Sequence, residues 1–369
     1  MADRSPQPSR GRPRASFWRR NRIFVILFAF AASAAVYGAF VLVNAGGSRP
    51  TAGDPGGPSA SGGNVSSAAP SGSVTPTVSP SATPKPSASP KPATAACSTT
   101  KNVAGGRDPN GGCFPGPANT GVPAGVKLTS YSGPCTITKA KTVISGKHIR
   151  CDLLIRAAGV VIEKSKIDGT ISNTSQSYSF TLRDSTLNAT PDEVLQVTGV
   201  GDVNFTVLRS EVIGGNRGIY CAVNCTIQDS WIHGQRIKDS WHASAVRMEQ
   251  RTRVIHNSMT CDAERTSTDG SCSATLTGYP DFAPIRDNLI QGNLFLVTRY
   301  SAFCAYGGST KGKPFSGQSG GIVFKDNIFQ RGTHSWDCAL YGPISDFDED
   351  LPGNVWSNNK FDDGEVIDT

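Results

Sequence analysis

The first 96 residues contain no cysteine and only two acidic residues, Asp3 and Asp54. Farther on, no cysteines are spaced as Cys-x-x-Cys and the five histidines are scattered, which argues against a zinc site. An EF-hand is absent too. The acidic run Asp346-Phe347-Asp348-Glu349-Asp350 has no glycine after its third aspartate, and Ser357 stands where the twelfth-position glutamate belongs. That run reads as a solvated turn; no cofactor is expected, and calcium is the one cation it leaves open. The exported part of the chain also lacks a basic surface. Of the formal net charge of +7, residues 1–22 hold +6 through seven arginines against Asp3, and residues 23–96 hold +2, which leaves 97–369 at −1. A nucleic-acid partner is therefore not expected.

What is present is a repeat. An apolar residue, any residue, a polar residue, Ser or Asn, any residue and usually another apolar one recur as IEKSKI from Ile162, LRDSTL from Leu182, VLRSEV from Val207 and IQDSWI from Ile227. Further copies are IHNSMT from Ile255, IRDNLI from Ile285, FKDNIF from Phe324 and WSNNKF from Trp356. Their Ser or Asn residues, 165, 185, 210, 230, 258, 288, 327 and 359, are 20, 25, 20, 28, 30, 39 and 32 apart. Such uneven spacing excludes helical repeats of fixed length. It fits a solenoid whose rungs are short strands and whose extra residues leave as loops. Alternation sends apolar side chains inward, while Ser or Asn at each bend can bond to the rung above and below.

This pattern, from about residue 140 to 369, resembles the repeat of the right-handed parallel β-helix proteins, the pectate-lyase-like superfamily. The chain as a whole looks like the membrane-anchored right-handed β-helix proteins of actinobacteria. The resemblance implies an all-β fold, a right-handed parallel β-helix solenoid over 136–369, preceded by an N-terminal cap over 97–135 that closes the mouth of the stack. All ten cysteines lie in this part. In a solenoid, sequence neighbours are spatial neighbours, so the expected pairs are Cys97–Cys113, Cys135–Cys151, Cys221–Cys225, Cys261–Cys272 and Cys304–Cys338, in an oxidising compartment.

Residues 1–22 form a basic cytoplasmic head. Ile23 to Val43 is a run of 21 uncharged residues, about 31 Å long as a helix, and reads as a transmembrane signal anchor. The arginines place the N-terminus in the cytoplasm and the remainder outside a cell membrane, single-pass. Secretion after signal cleavage is the alternative, with small residues at Val43-Asn44-Ala45. Residues 44–96, rich in Pro, Ser, Thr and Gly, form a disordered stalk. A monomer is expected.

Strands EVLQV, RGIYC, HASAVRM and AFCAY follow the repeats. If Ile219, Cys221, Val246 and Met248 point inward, Tyr220, Arg247 and Glu249 point outward on adjacent rungs. The loop HGQRIKDSWHAS adds His233, Arg236, Asp239, Trp241 and His242. Enzymes with the resembled fold mostly cut or epimerise acidic polysaccharides. A lyase would use His242 as base and Arg247 or Arg236 as charge partner, with Trp241 or Tyr220 under a sugar ring. A hydrolase would pair Glu249 with Asp239 or Asp281. His233-Gly234 and Arg236-Ile237-Lys238 are similar to two polygalacturonase signatures, but that family separates them and its Asn-Thr-Asp is missing. The expected function is action on, or recognition of, an extracellular or cell-wall polysaccharide, lyase-like if catalytic. The alternative is a non-catalytic glycan- or protein-binding surface module.

Overall fold

A computed structural model describes residues 97–332 and 337–369. The expected head, membrane helix and stalk, residues 1–96, lie outside the described residues. The described part is all-β: strands in parallel register with one short 3-10 turn, Ser316–Gln318. They form a fifteen-stranded sheet, a ten-stranded sheet and a two-stranded pair of Ser98–Lys101 with Gly106–Arg107.

The larger sheet makes two walls. Thr198–Leu208, Arg217–Gln228 and His242–Ile255 are long because each turns the corner between them. On one wall, for example, Ile171–Asn173 pairs with the first half of Thr198–Leu208, and on the other Phe180–Arg183 pairs with its second half. Asn204, Asn224 and Arg251 stand at this corner with φ of 55°, 61° and 49°. Asparagine adopts that left-handed conformation at low cost. Asn204 and Asn224, each the first residue of an Asn-x-Thr triplet, are thus turn residues.

The ten-stranded sheet is the third wall, and the repeat forms the bend that leads into it. Lys164, Asp184, Arg209, Asp229, His256, Gly292, Asp326 and Asn358 all have positive φ there. The residue after each is fully buried: Ser165, Ser185, Ser210, Ser230, Asn257, Asn293, Asn327 and Asn359. Each backbone N–H in this column donates to the next side chain, for instance Ser185 to Ser210 Oγ at 3.3 Å, Ser230 to Asn257 Oδ1 at 2.9 Å and Asn293 to Asn327 Oδ1 at 3.0 Å. Two expected positions are therefore corrected. Asn257, not Ser258, occupies the column, and Asn293 of Gln291-Gly292-Asn293 replaces Asn288. Asn288 instead serves the other corner, where its Oδ1 accepts from the Thr252 N–H at 2.8 Å.

Inward side chains stack in columns. Ile149, Ile167, Leu187, Val212, Ile232 and Met259 are followed by Phe295, Phe329 and Phe361 along the ten-stranded wall. The column changes from aliphatic to aromatic at Phe295. All five disulfides pair as expected.

The first part of the segment expected as a cap, residues 97–122, lies along the side of the stack. It runs as a strap over the outer side of the ten-stranded wall. Asn102 Nδ2 donates to the Asp362 carbonyl at 2.9 Å, and the Gly121 N–H donates to the Arg209 carbonyl at 3.1 Å. Phe114 packs on Leu294 and Ile328, which point outward from this wall. Those two apolar residues at outward positions are the reason: covering them removes apolar surface from water.

Candidate functional site

The described residues converge on the outer side of the wall that carries Arg217, Tyr220, Arg247 and Thr277. Tyr220 pairs with Arg247, Arg247 with Thr277 and Thr277 with Tyr306 across successive strands, so the four form one outward column. Outward does not mean exposed here. Loop residues after Gly278 fold back over the column, and Arg247 and Glu249 are buried.

Arg247 is the hub. Its Nη2 lies 3.3 Å from Asp281 Oδ2 and 3.4 Å from the Tyr279 carbonyl. Its Nε lies 3.8 Å from Glu249 Oε1, and its guanidinium is 4.9 Å from the Phe282 ring centre. Lys313 Nζ approaches the other Asp281 oxygen at 3.0 Å. Arg247 Nε and Glu249 Oε1 have no hydrogen-bond partner despite burial.

Burial raises the Glu249 carboxyl above the usual range, against the pull of Arg247 and a bond from Tyr220. Burial and then Glu249 raise the Tyr220 phenol in turn. Asp202 is raised by burial against Arg217, and Arg217 is lowered by burial and then by the charge of Arg247. Two arginines and two reluctant carboxylates thus share one partly dry site.

A raised acid binds its proton more tightly folded than unfolded, so its contribution to stability falls as pH rises from the ordinary carboxylate range through the raised value. Glu249→Gln is expected to raise the melting temperature at neutral pH and to flatten the acid-to-neutral slope. A melting series on the variant that kept the wild-type slope would show the burial argument to be wrong.

Of the expected site residues, Tyr220, Arg247, Glu249 and Asp281 come together. His242 does not: it is exposed at the head of its strand, five residues from Arg247, or about 17 Å along extended chain. Its cross-strand partner Ser271 instead lines a separate cavity of about 300 Å³ with Arg299, Tyr300 and Leu340. Trp241 receives Lys238 at 5.4 Å. Arg236 donates to the Thr190 carbonyl at 2.6 Å, and the exposed Asp239 accepts the Thr266 hydroxyl through its carbonyl. His233 is on the ten-stranded wall, stacked on Trp231 at 3.7 Å with Glu211 at 3.2 Å. The compact group in sequence is dispersed because its loop rounds a bend between walls.

Tyr279, in the loop after Gly278, and Tyr306, in the strand Ala305–Gly307, brace each other near Arg247. Tyr279 and Tyr306 lie 4.6 Å apart, Phe303 lies 5.7 Å from Tyr306, and Tyr341 lies 6.0 Å from Phe303. Phe282 is 60% exposed and Tyr341 48%, so aromatic faces remain open beside the site. Sequence reasoning missed Arg217, Asp202 and Lys313. Arg217 was detectable in the same strand as Tyr220, whereas Lys313 reaches the site only through a loop.

Gly317-Gln318-Ser319-Gly320-Gly321 has the bare spacing of a serine-nucleophile elbow. It leads from a 3-10 turn into a strand, the reverse of the strand-to-helix context such a serine needs. Among the described residues no three His, Cys, Asp or Glu side chains are placed to hold a metal ion. In the acidic run, Asp346 accepts from the Thr310 hydroxyl at 2.7 Å and Asp348 N–H donates to Ser309 at 3.2 Å. No family model, no curated protein and no solved structure matches the chain.

Proposed function

We propose that this is a cell-surface module with a right-handed, pectate-lyase-like β-helix that recognises an extracellular or cell-wall polysaccharide. The observation that carries the reading is the linked rings of Tyr279, Tyr306, Phe303 and the half-exposed Tyr341, together with the exposed Phe282 against Arg247, beside the Asp281 and Lys313 charges. Sugar rings present an apolar face and an equatorial belt of hydroxyls. Aromatic planes take the former, and charged groups hydrogen-bond the latter. The five disulfides fit an extracellular, oxidising location. A single-pass anchor through Ile23 to Val43 and a stalk would hold the module outside the membrane.

Recognition is favoured over turnover because Glu249, the raised carboxyl beside Arg247, is covered. A lyase-like reaction is the second reading, and its specific support is a raised carboxyl beside a guanidinium. Retention of the full-length chain on arrays of uronate-containing and neutral glycans tests both. Phe282→Ala and Tyr341→Ala are each expected to weaken retention by roughly tenfold, about the worth of one stacked ring, with folding unchanged. Ultraviolet-absorbing or reducing products that vanish in Glu249→Gln would replace recognition by catalysis. Unaltered retention in both aromatic variants would sink the proposed surface.

A further inference from the structure

Among the contacts that hold the strap on the ten-stranded wall is one imidazole between two carboxylates. His256 sits at a bend, with Nδ1 2.7 Å from Asp229 Oδ1 of the preceding rung and Nε2 3.2 Å from Asp108 Oδ2 of the strap. Its ring stacks on Phe114, also of the strap, at 5.7 Å and 21°. Asp108 holds its place because Oδ1 accepts the N–H groups of Asn110 and Gly112, at 2.7 and 3.0 Å. One ring thus bridges a carboxylate of the solenoid and a carboxylate of a segment 148 residues away in sequence.

We propose that His256 is a protonation-dependent latch that clamps residues 97–122 onto the solenoid and lets them loosen as the medium turns alkaline. This goes beyond the glycan reading and does not depend on it. Only the imidazolium donates from both nitrogens at once; the neutral ring donates from one and leaves the other carboxylate facing a lone pair. Burial opposes the charge on His256, but Asp229 and then Asp108 outweigh it and raise its affinity for the proton. The contribution is complete below about pH 6.5, the ordinary histidine value, and is lost as pH climbs through the raised folded value.

The other charges nearby do not reverse this. Arg209 acts on Asp229 but is itself bonded by Asp184, at 2.6 and 2.8 Å. The Gln228 amide donates to the second Asp229 oxygen at 3.0 Å. The bend's neighbour on the next rung offers a carbonyl, that of Gln291, which accepts the His256 N–H at 2.9 Å.

What the latch controls is position. Asn102 lies beside the last rungs, whereas Thr129 starts the first strand of the ten-stranded wall. Nine inter-strand steps separate the two ends of that sheet, about 43 Å. A fastened strap makes Cys97 leave the stack at its C-terminal end. A loosened strap frees that point to move toward the first rung, and it uncovers Leu294 and Ile328.

Hydrogen exchange on the full-length chain, corrected for intrinsic pH dependence, tests this. Gly121 and Val122 report docking because their N–H groups donate to Arg209 and Thr186 of the solenoid. Phe114 N–H, bonded to Gly106 within the strap, and Leu294 N–H, bonded to Asn257 in the stack, are the controls. From about pH 6 to pH 9 the two reporters should lose roughly tenfold or more of their protection while Leu294 keeps its own. His256→Gln should show the weaker protection at both pH values. Asp108→Asn, a change on the strap alone, should do the same without perturbing the bend. Reporters that keep full protection at alkaline pH, or that lose it equally in His256→Gln, would overturn the latch.

Discussion

Replacing Asn257 by alanine should cost about 3 kcal/mol or more of stability, while replacing its neighbour Ser258 should cost close to nothing. Both are fully buried, and Ser258 is the one that fits the repeat as it is written in the sequence. The difference lies in their bonds. Asn257 Oδ1 accepts the Ser230 N–H at 2.9 Å, and its Nδ2 donates to the Ile227 carbonyl at 2.9 Å and to Asn293 Oδ1 at 3.0 Å. Alanine would leave a backbone donor and a backbone carbonyl unpaired in the core, each costing about 1–3 kcal/mol. Ser258 Oγ has no partner in the folded chain, so its removal forfeits no bond and relieves a buried hydroxyl. Denaturant melts of the two single variants, read as midpoint at constant slope, decide the matter. Equal losses would mean that the column is not what holds the bend.

Phe329→Ala should be the most damaging single change in the aromatic half, at about 3–5 kcal/mol. Phe329 is fully buried, stacks on Phe295 with centroids 4.4 Å apart and planes within 4°, and has Trp356 at 6.1 Å. It pairs with Phe295 on one side and Phe361 on the other, so the cavity would open between rungs. Solenoid rungs bury their faces on each other, and a void there weakens two interfaces rather than one. Phe329→Leu should recover more than half of the loss, since it restores most of the volume. Thermal melts of both variants measure this; an alanine variant as stable as the leucine one would mean that the rungs collapse to fill the gap. The exposed Phe282, by contrast, should be neutral to stability.

The repeat was legible because each physical demand in it is local. A bend needs a residue that tolerates positive φ followed by a small polar side chain that can reach the next rung, and flanking alternation fills the core. Asp184-Ser185, Asp229-Ser230 and Asp326-Asn327 declare this openly. The register failed where two such pairs occur close together. Asp287-Asn288 and Gly292-Asn293 are both real bends, one at each corner, and nothing within six residues says which corner is which. His256-Asn257-Ser258 failed for a related reason: Asn and Ser satisfy the same pattern, and only the partner on rung 230 chooses between them.

The candidate site was half legible. Strand alternation put Tyr220, Arg247 and Glu249 on one face, and that is a two-residue rule needing no tertiary knowledge. Asp281, Lys313 and Tyr279 arrive from loops, whose paths are not set by any period, while Tyr306 continues the outward column on the next strand. The richest stretch of reactive residues, His233 to His242, misled for the same reason. It crosses a bend, and closeness in sequence became separation over two walls.

By itself the sequence pointed to a parallel β solenoid, to where most of its bends fall, and to neighbouring cysteines as disulfide partners, and the described residues bear these out. Rungs contact their neighbours, so nearest-neighbour chemistry is enough to specify them. Tertiary structure alone decided the register of the two ambiguous bends, the burial of Arg247 and Glu249 beneath a returning loop, and the course of residues 97–122 along the wall. Each of these depends on partners tens to hundreds of residues away, such as Asp108 with His256 or Asn102 with Asp362, and no local pattern encodes a contact at that distance.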